Sequence, residues 1–351
     1  MMECKVSFLV PVYNVARYIG QCAKSIFEQT LDDIEIIFVD DCTPDNSVAI
    51  VEKLLEQYPN RQSQVRWVHH DHNMGIGQAR RSGVEASSGE YVLVVDSDDY
   101  VDVTIAEKLY NKAIATNADV VQYDFYKVES GLLKFVATAN REKEVTSDLL
   151  RNAMVNRISP PDLWARLIRR QLFFSPEFRW APKSLAEDVV MTSELMLLAD
   201  NIVYLPEPLY YYRINPSSIT NVQTEQAKVK RYQQYIVNSQ VYLDAVEKNN
   251  KNGQYNEGII KTKMAVRNQI ISLTNQRKYR KMWHDTFPEL NQMMIHGVTH
   301  CEGFEVPASF RNRLWYYSIM LGLYPSCSRL LLSRKLRPAE VWRFAIRIKL
   351  H

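Results

Sequence analysis

Residues 91–99 read Tyr-Val-Leu-Val-Val-Asp-Ser-Asp-Asp, an apolar run followed by three carboxylates within four positions. A continuous run of β-branched and apolar residues is what a strand buried on both faces needs. Such a strand delivers Asp96, Asp98 and Asp99 to one edge of a sheet. The same pattern recurs toward the N-terminus. Val6–Val12, Ile34–Val39 and Gln64–His69 read as strands, and Tyr18–Phe27, Val48–Tyr58 and Gly77–Ala86 as the helices between them. Repeated β-α-β units predict an α/β fold with a mostly parallel central sheet and helices on both faces.

Ligands of such sheets bind beyond the carboxyl ends of the strands. Those ends are Pro11-Val-Tyr-Asn14, Asp40-Asp41, His69-His-Asp-His-Asn73 and Asp96-Ser-Asp-Asp99. Any one of them also suits an ordinary turn, but four polar ends on one sheet edge make a candidate site. Farther on, the spacing predicts a helix over 104–117, a strand over 119–128 with a hairpin partner at 132–137, helices over 163–173 and 187–199, and a strand over 202–212. From about residue 223 the pattern is helical, chiefly 226–248 and 257–276.

With 46% hydrophobic and 24% charged residues, the 351-residue chain has the composition of a folded protein, which excludes disordered, collagenous and mucin-like classes. The net charge of +3 conceals a division. Of 43 basic and 40 acidic residues, nine and one respectively lie in 310–351, so that tail carries +8 and the remainder −5. Five scattered cysteines without a CxxC pair suggest neither a disulfide framework nor a zinc site, and a reducing compartment fits them. The strand-like start at Val6 leaves no room for a signal peptide.

Three carboxylates in four residues repel one another unless a cation is present, and oxygen ligands suit Mg²⁺ or Mn²⁺; a solvated acidic turn is the other reading of Asp96–Asp99. Asp40 and Asp41 alternate in direction, so one can accept hydrogen bonds from a base or ribose, or both can cap the following helix. Gly75-Ile-Gly77 permits a tight turn into a helix carrying Arg80 and Arg81, suited to a phosphate-bearing ligand, but Arg80 occupies the third glycine position of a dinucleotide fingerprint. His69, His70 and His72 read as surface histidines.

Four stretches, Val6–Asn14, Val39–Ser47, Asn73–Arg80 and Val95–Asp99, in this order and spacing, resemble the inverting family 2 glycosyltransferases of bacterial surface-polysaccharide type, which have the GT-A fold. Leu163-Trp-Ala-Arg-Leu167, Ala186-Glu-Asp-Val189, Tyr210-Tyr-Tyr-Arg213 and Ser218-Ile-Thr220 extend the likeness to about residue 221. The resemblance implies a catalytic domain over 1–221, followed by a helical region over 222–309 and basic amphipathic helices over 310–351. It implies that Pro11, Tyr13, Asn14, Asp40 and Asp41 line the base and ribose pocket and that Asn73 and Arg80 close it. Asp96 would lie beside the ribose, Asp98 on a Mn²⁺ or Mg²⁺ ion bridging the donor diphosphate, and Asp99 would be the alternate ligand. Asp188 is the candidate base, its anion stabilised by the helix N-terminus. Arg213 either reaches the leaving diphosphate or pairs with a surface acid.

The implied reaction is metal-dependent hexosyl transfer from a nucleotide-diphosphate sugar, with a UDP-sugar favoured, to a hydroxyl of a glycan or lipid-linked saccharide, without nucleic acid. Interleaved aromatic and basic residues in 310–351 suit either an anionic membrane surface or bundle packing. Together these point to a cytoplasmic protein, peripheral on the inner face of the membrane. A sugar-phosphate nucleotidyltransferase would need a glycine- and lysine-rich phosphate loop after the first strand, which Pro11–Asn14 lacks. A non-catalytic scaffold would have no use for Asp96–Asp99.

Overall fold

A computed structural model describes residues 4–142, 144–214, 224–291, 298–301 and 304–307. They divide into two compact units, Met1–Asn221 with Val237–Asn249 and Val222–Ile236 with Asn250–His351, counting the described residues of each. The expected 310–351 helices and the Ser218–Thr220 motif lie outside the described residues.

The first unit opens with the predicted alternation: β1 (Val6–Val12), α1 (Ile19–Phe27), β2 (Ile34–Asp40), α2 (Ser47–Leu55), β3 (Val65–His69), α3 (Ile76–Ala86) and β4 (Tyr91–Val94). These four strands are parallel, β1 lying between β2 and β4. Because side chains alternate along a strand, each one feeds two cores. Phe8, Val10, Phe38 and Leu93 enter one cluster, and Leu9, Ile37, Val39, Val92 and Val94 the other. Burial on both faces explains why β1, β2 and β4 read as unbroken apolar runs.

The chain continues through β5 (Tyr100–Val101), α4 (Ile105–Thr116), β6 (Val120–Glu129), β7 (Leu132–Val136), α5 (Ser147–Val155), β8 (Arg166–Arg169), α6 (Glu187–Leu198) and β9 (Ile202–Arg213). The sheet order is β3-β2-β1-β4-β8-β6-β9-β5, with β7 paired to β6. One expectation fails here. Leu163–Phe173 is not a helix but a 3-10 turn, the strand β8 and a second 3-10 turn. Leucine and arginine favour helix locally, yet β8 is held antiparallel between β4 and β6, with Leu167 and Ile168 buried on opposite faces; sheet pairing overrides propensity.

In the second unit α7 begins; it spans Glu225–Asn249, and its residues from Val237 belong to the first unit. The helix predicted over 257–276 ends early, as α8 (Asn256–Asn268), and is followed by a 3-10 turn and α9 (Arg277–Asp285). Tyr232, Val266, Ile270, Tyr279 and Trp283 form its core. Among the described residues no helix is long and apolar enough to cross a membrane.

Candidate active site

The carboxyl ends of β1 to β4 lie at one edge, and their polar groups divide into two sets. In the first, β1 ends with Pro11 buried beside Val39 and Tyr13 exposed, and Asn14 turns the chain at φ +55°. The Asn14 N–H donates to Thr43 Oγ1 at 2.8 Å, and Asp40 Oδ1 accepts from the Thr43 N–H at 2.8 Å. Asp40 Oδ2 lies 3.0 Å from His69 Nδ1. Asp41 points into the protein: its carboxylate accepts from the Met74 N–H at 2.7 Å and the Gly75 N–H at 2.8 Å, and meets His70 Nδ1 at 2.7 Å. His70 Nε2 lies 2.9 Å from Ser82 Oγ, so this ring is a buried strut joining β2 to α3, not the surface histidine expected.

The turn that Asp41 holds is tight. Gly75 has φ +88°, and a Cβ there would stand 2.2 Å from Ser184 Oγ, so only glycine fits beneath that loop. Asn73 is exposed in the same turn. The resemblance places it with Arg80, whose hydrogen bonds belong to the second set.

Arg80, on α3, is buried, and three carboxylates surround it. Its Nη2 donates to Asp96 Oδ1 at 3.0 Å, and its Nη1 to Glu187 Oε1 at 2.9 Å and Asp188 Oδ1 at 2.5 Å. Asp96 follows β4, while Glu187 and Asp188 open α6 after Ala186 at φ +62°. One guanidinium thus joins the strand end that should meet the donor to the residue that should act as base. Burial holds the Asp188 carboxyl well above the ordinary aspartate range, opposed by Arg80 and reinforced by Glu187 and Asp96. Burial raises Glu187 as well, against the pull of Arg80. The helix N-terminus was expected to stabilise the Asp188 anion; desolvation and two neighbouring acids outweigh it. Arg80 itself is held above the ordinary arginine range, because its three acids outweigh the cost of burying it.

Asp98 is half-buried, and its carbonyl accepts from Arg213 Nη1 at 2.5 Å. Asp99 is fully buried, with Tyr210 Oη donating to Oδ2 at 2.8 Å and the Arg213 N–H to Oδ1 at 2.6 Å. Burial, with Asp98 and Asp96 nearby, pushes its pKa well up. The Arg213 guanidinium also donates to Gln21 Oε1 at 2.6 Å and lies 4.9 Å above the Tyr18 ring. It therefore clamps the Asp96–Asp99 loop, and among the described residues it forms no ion pair with a surface acid. Tyr210 carries the Trp164 ring on its face at 4.3 Å.

Known proteins resemble this chain in sequence and fold. The model of glycosyl transferase family 2 matches residues 7–174. The uncharacterized glycosyltransferase EpsJ of Bacillus subtilis is 36% identical over 228 residues, 62% of this chain and 63% of EpsJ. Glycosyltransferase GlyG of Streptococcus pneumoniae is 30% identical over 229 residues, 62% of this chain and 73% of GlyG. The chain belongs to glycosyl transferase family 2. It spans less than two thirds of the length of EpsJ. Staphylococcus aureus TarS 1–349, solved in complex with UDP-GlcNAc, matches in fold with a TM-score of 0.56 at 20% identity, covering 87% of this chain and 96% of that one. The fold of this family 2 member is the GT-A fold that its motifs suggest.

One residue of the site, Asp162, carried no signal in the sequence, and a second, Arg166, was marked only as part of the Leu163–Leu167 motif. Asp162 is half-buried beside the cluster, and burial raises its pKa against the opposing pull of Arg166. Arg166 is buried; it donates to the Asp162 and Pro160 carbonyls and to Gln122 Oε1, and its pKa falls to about 10 because desolvation dominates. Asp162 stands alone before Leu163 with no repeat or spacing to mark it.

Among the described residues no group of three His, Cys, Asp or Glu side chains is arranged to hold a metal ion. A Mg²⁺ or Mn²⁺ ion that takes most of its shell from phosphate and water needs only one or two protein carboxylates. The half-buried Asp98 fits that mode; Asp99, with both oxygens engaged, supports the loop from behind.

Proposed function

We propose that this chain is a metal-dependent, inverting glycosyltransferase that moves a sugar from a nucleotide-diphosphate donor, a UDP-sugar by preference, to a hydroxyl of a glycan or lipid-linked saccharide in polysaccharide synthesis. The observation that supports this reading is the shared guanidinium of Arg80, which bonds both Asp188, read here as the base, and Asp96, read here as the donor-side acid. TarS, of the same fold, binds UDP-GlcNAc, which supports a UDP-sugar donor.

In this reading Tyr13, Asn14 and Asp40 receive the base and ribose at the ends of β1 and β2, and Asp41 keeps the Met74–Gly75 turn in place behind them. Asp98 would hold Mn²⁺ or Mg²⁺, which when bound supplies positive charge to the departing diphosphate. Arg213 keeps the Asp98 backbone fixed. Asp188 takes the proton from the acceptor hydroxyl as its oxygen attacks the anomeric carbon from the face opposite the leaving group. A carboxylate with a raised pKa is the stronger base once ionised, and Arg80 holds it in one orientation. A lipid-linked acceptor would bring the protein to the inner face of the membrane, and the basic residues of 310–351 suit that surface.

The test is a panel of UDP-, GDP- and CMP-sugars with Mn²⁺ or Mg²⁺, scored by release of the nucleoside diphosphate. Turnover of one donor by the wild type, abolished by chelation and by Asp98→Ala, supports the proposal. No response to any donor, with Asp98→Ala indistinguishable from wild type, would overturn it.

A further inference from the structure

The β6–β7 hairpin takes no part in the carboxylate cluster. Among the described residues its outer strand β7 pairs only with β6, and Leu132, Leu133 and Phe135 are 75, 54 and 42% exposed. Exposed Ile214 lies on the other side of β6, its N–H bonded to the Val128 carbonyl at 3.0 Å. An uncovered edge strand bearing apolar side chains is a surface that proteins usually blunt unless something binds it.

Two further features indicate the chemistry of the partner. Lys127 and Lys134 face each other in register across the two strands, and neither makes an ion pair among the described residues. Like charges placed opposite one another are unfavourable without a counter-anion. Beside them Arg141 lies 4.5 Å above the Phe135 ring. It is fixed from within by fully buried Asp124, which accepts from Arg141 Nε at 3.0 Å, and by the Pro206 carbonyl, which accepts from Nη2 at 2.7 Å. Arg141 and Lys112, with Val145, Val203, Tyr204 and Pro206, line a cavity of about 340 Å³. The hairpin carries two acids, Glu129 and the buried Asp124 that pairs with Arg141; exposed Glu142 and Glu144 follow Arg141 and precede Val145 in sequence, and Glu207 near the cavity is engaged by Lys108 at 2.6 Å.

We propose that this hairpin and the adjoining cavity dock on a membrane containing anionic phospholipid. Leu132, Leu133 and Phe135 enter the acyl boundary, Lys127 and Lys134 lie at phosphate level, and the Lys112–Arg141 cavity receives a headgroup phosphate. A second copy fits less well, because antiparallel self-pairing of β7 about Lys134 would bring two more ammonium groups together. From Phe125, whose ring meets Trp164 at 4.8 Å, to the tip at Glu129 is four residues of strand, on the order of 13 Å. Docking would thus hold the carboxylate cluster within reach of saccharides carried on lipid. The surface itself rests on none of the residues assigned to donor or acceptor chemistry.

The test is co-flotation of the full chain with phosphatidylcholine vesicles, with and without phosphatidylglycerol. Leu132→Asp combined with Leu133→Asp should lower the partition coefficient about tenfold. Lys112→Glu should lower it several-fold, only on the anionic vesicles, with thermal unfolding and donor binding unchanged. Leu132→Trp should be quenched by bromine-substituted acyl chains. Flotation of the double variant equal to wild type, an unquenched Leu132→Trp, or equal binding to neutral and anionic vesicles would each overturn the proposal. Loss of a wild-type dimer in the double variant without loss of flotation would assign the surface to a second copy instead.

Discussion

The carboxylates at the end of β2 and those around Arg80 deal with burial in different ways. Asp41 is surrounded by donors, two backbone N–H groups and an imidazole, each fixed by a turn or strand end. Asp96, Glu187 and Asp188 share one guanidinium, so their negative charge exceeds its positive charge. The first arrangement fixes a shape. The second stores uncompensated charge where an approaching cation or a proton can change it, and the candidate base Asp188 is one of its three acids.

The comparison can be broken by replacement, and the largest effect is expected at Asp188. Asp188→Asn should slow turnover by about 10²–10⁴-fold, the worth of a positioned base. Its unfolding midpoint should stay level or rise, since a neutral amide replaces a carboxyl that burial disfavours in its charged form. Arg80→Met should cost about 3–5 kcal/mol in urea unfolding, because it leaves buried acids without their cation. The loss should be smaller near about pH 5 than near about pH 8, where those acids can no longer protonate cheaply.

The pH dependence follows from the directions of the shifts. Asp99, Glu187 and Asp188 have raised pKa values in the folded chain, so the folded state holds more protons than the unfolded one above the ordinary carboxylate range. Their contribution to stability is complete below that range and is lost as pH rises through the raised values. Donor turnover should show the opposite trend, with an acid limb above the ordinary aspartate pKa as Asp188 ionises. An acid limb near the ordinary value would contradict the burial of this group. The smallest effect belongs to the shape-fixing set: Asp41→Asn should destabilise by about 1–3 kcal/mol and raise the donor KM with little change in kcat.

Much of this was legible in the sequence because it depends on periodicity. β1, β2 and β4 read as strands since burial on both faces leaves them uniformly apolar, and their carboxyl ends could be located before any contact was known. The family motifs named Asp96, Asp98 and Asp188, but not what joins them. Arg80 lies 16 residues from Asp96 and 108 from Asp188 along the chain, and no spacing rule links a helix arginine to an acid so far away. The strand β8 was hidden for a related reason. Its four residues are shorter than a helical turn pattern and gain strand form only from β4 and β6 on either side. The raised pKa of Asp188 was missed because a helix N-terminus is a local feature, whereas desolvation requires the assembled core.

The central claim, that in the cluster around Arg80 Asp188 acts as the base while Asp96 meets the donor, is tested most directly by measuring donor binding and turnover on the same Asp188→Asn protein. The account predicts unchanged affinity for the UDP-sugar with turnover reduced by about 10²–10⁴-fold. Turnover equal to wild type, or loss of donor binding together with activity, would contradict it.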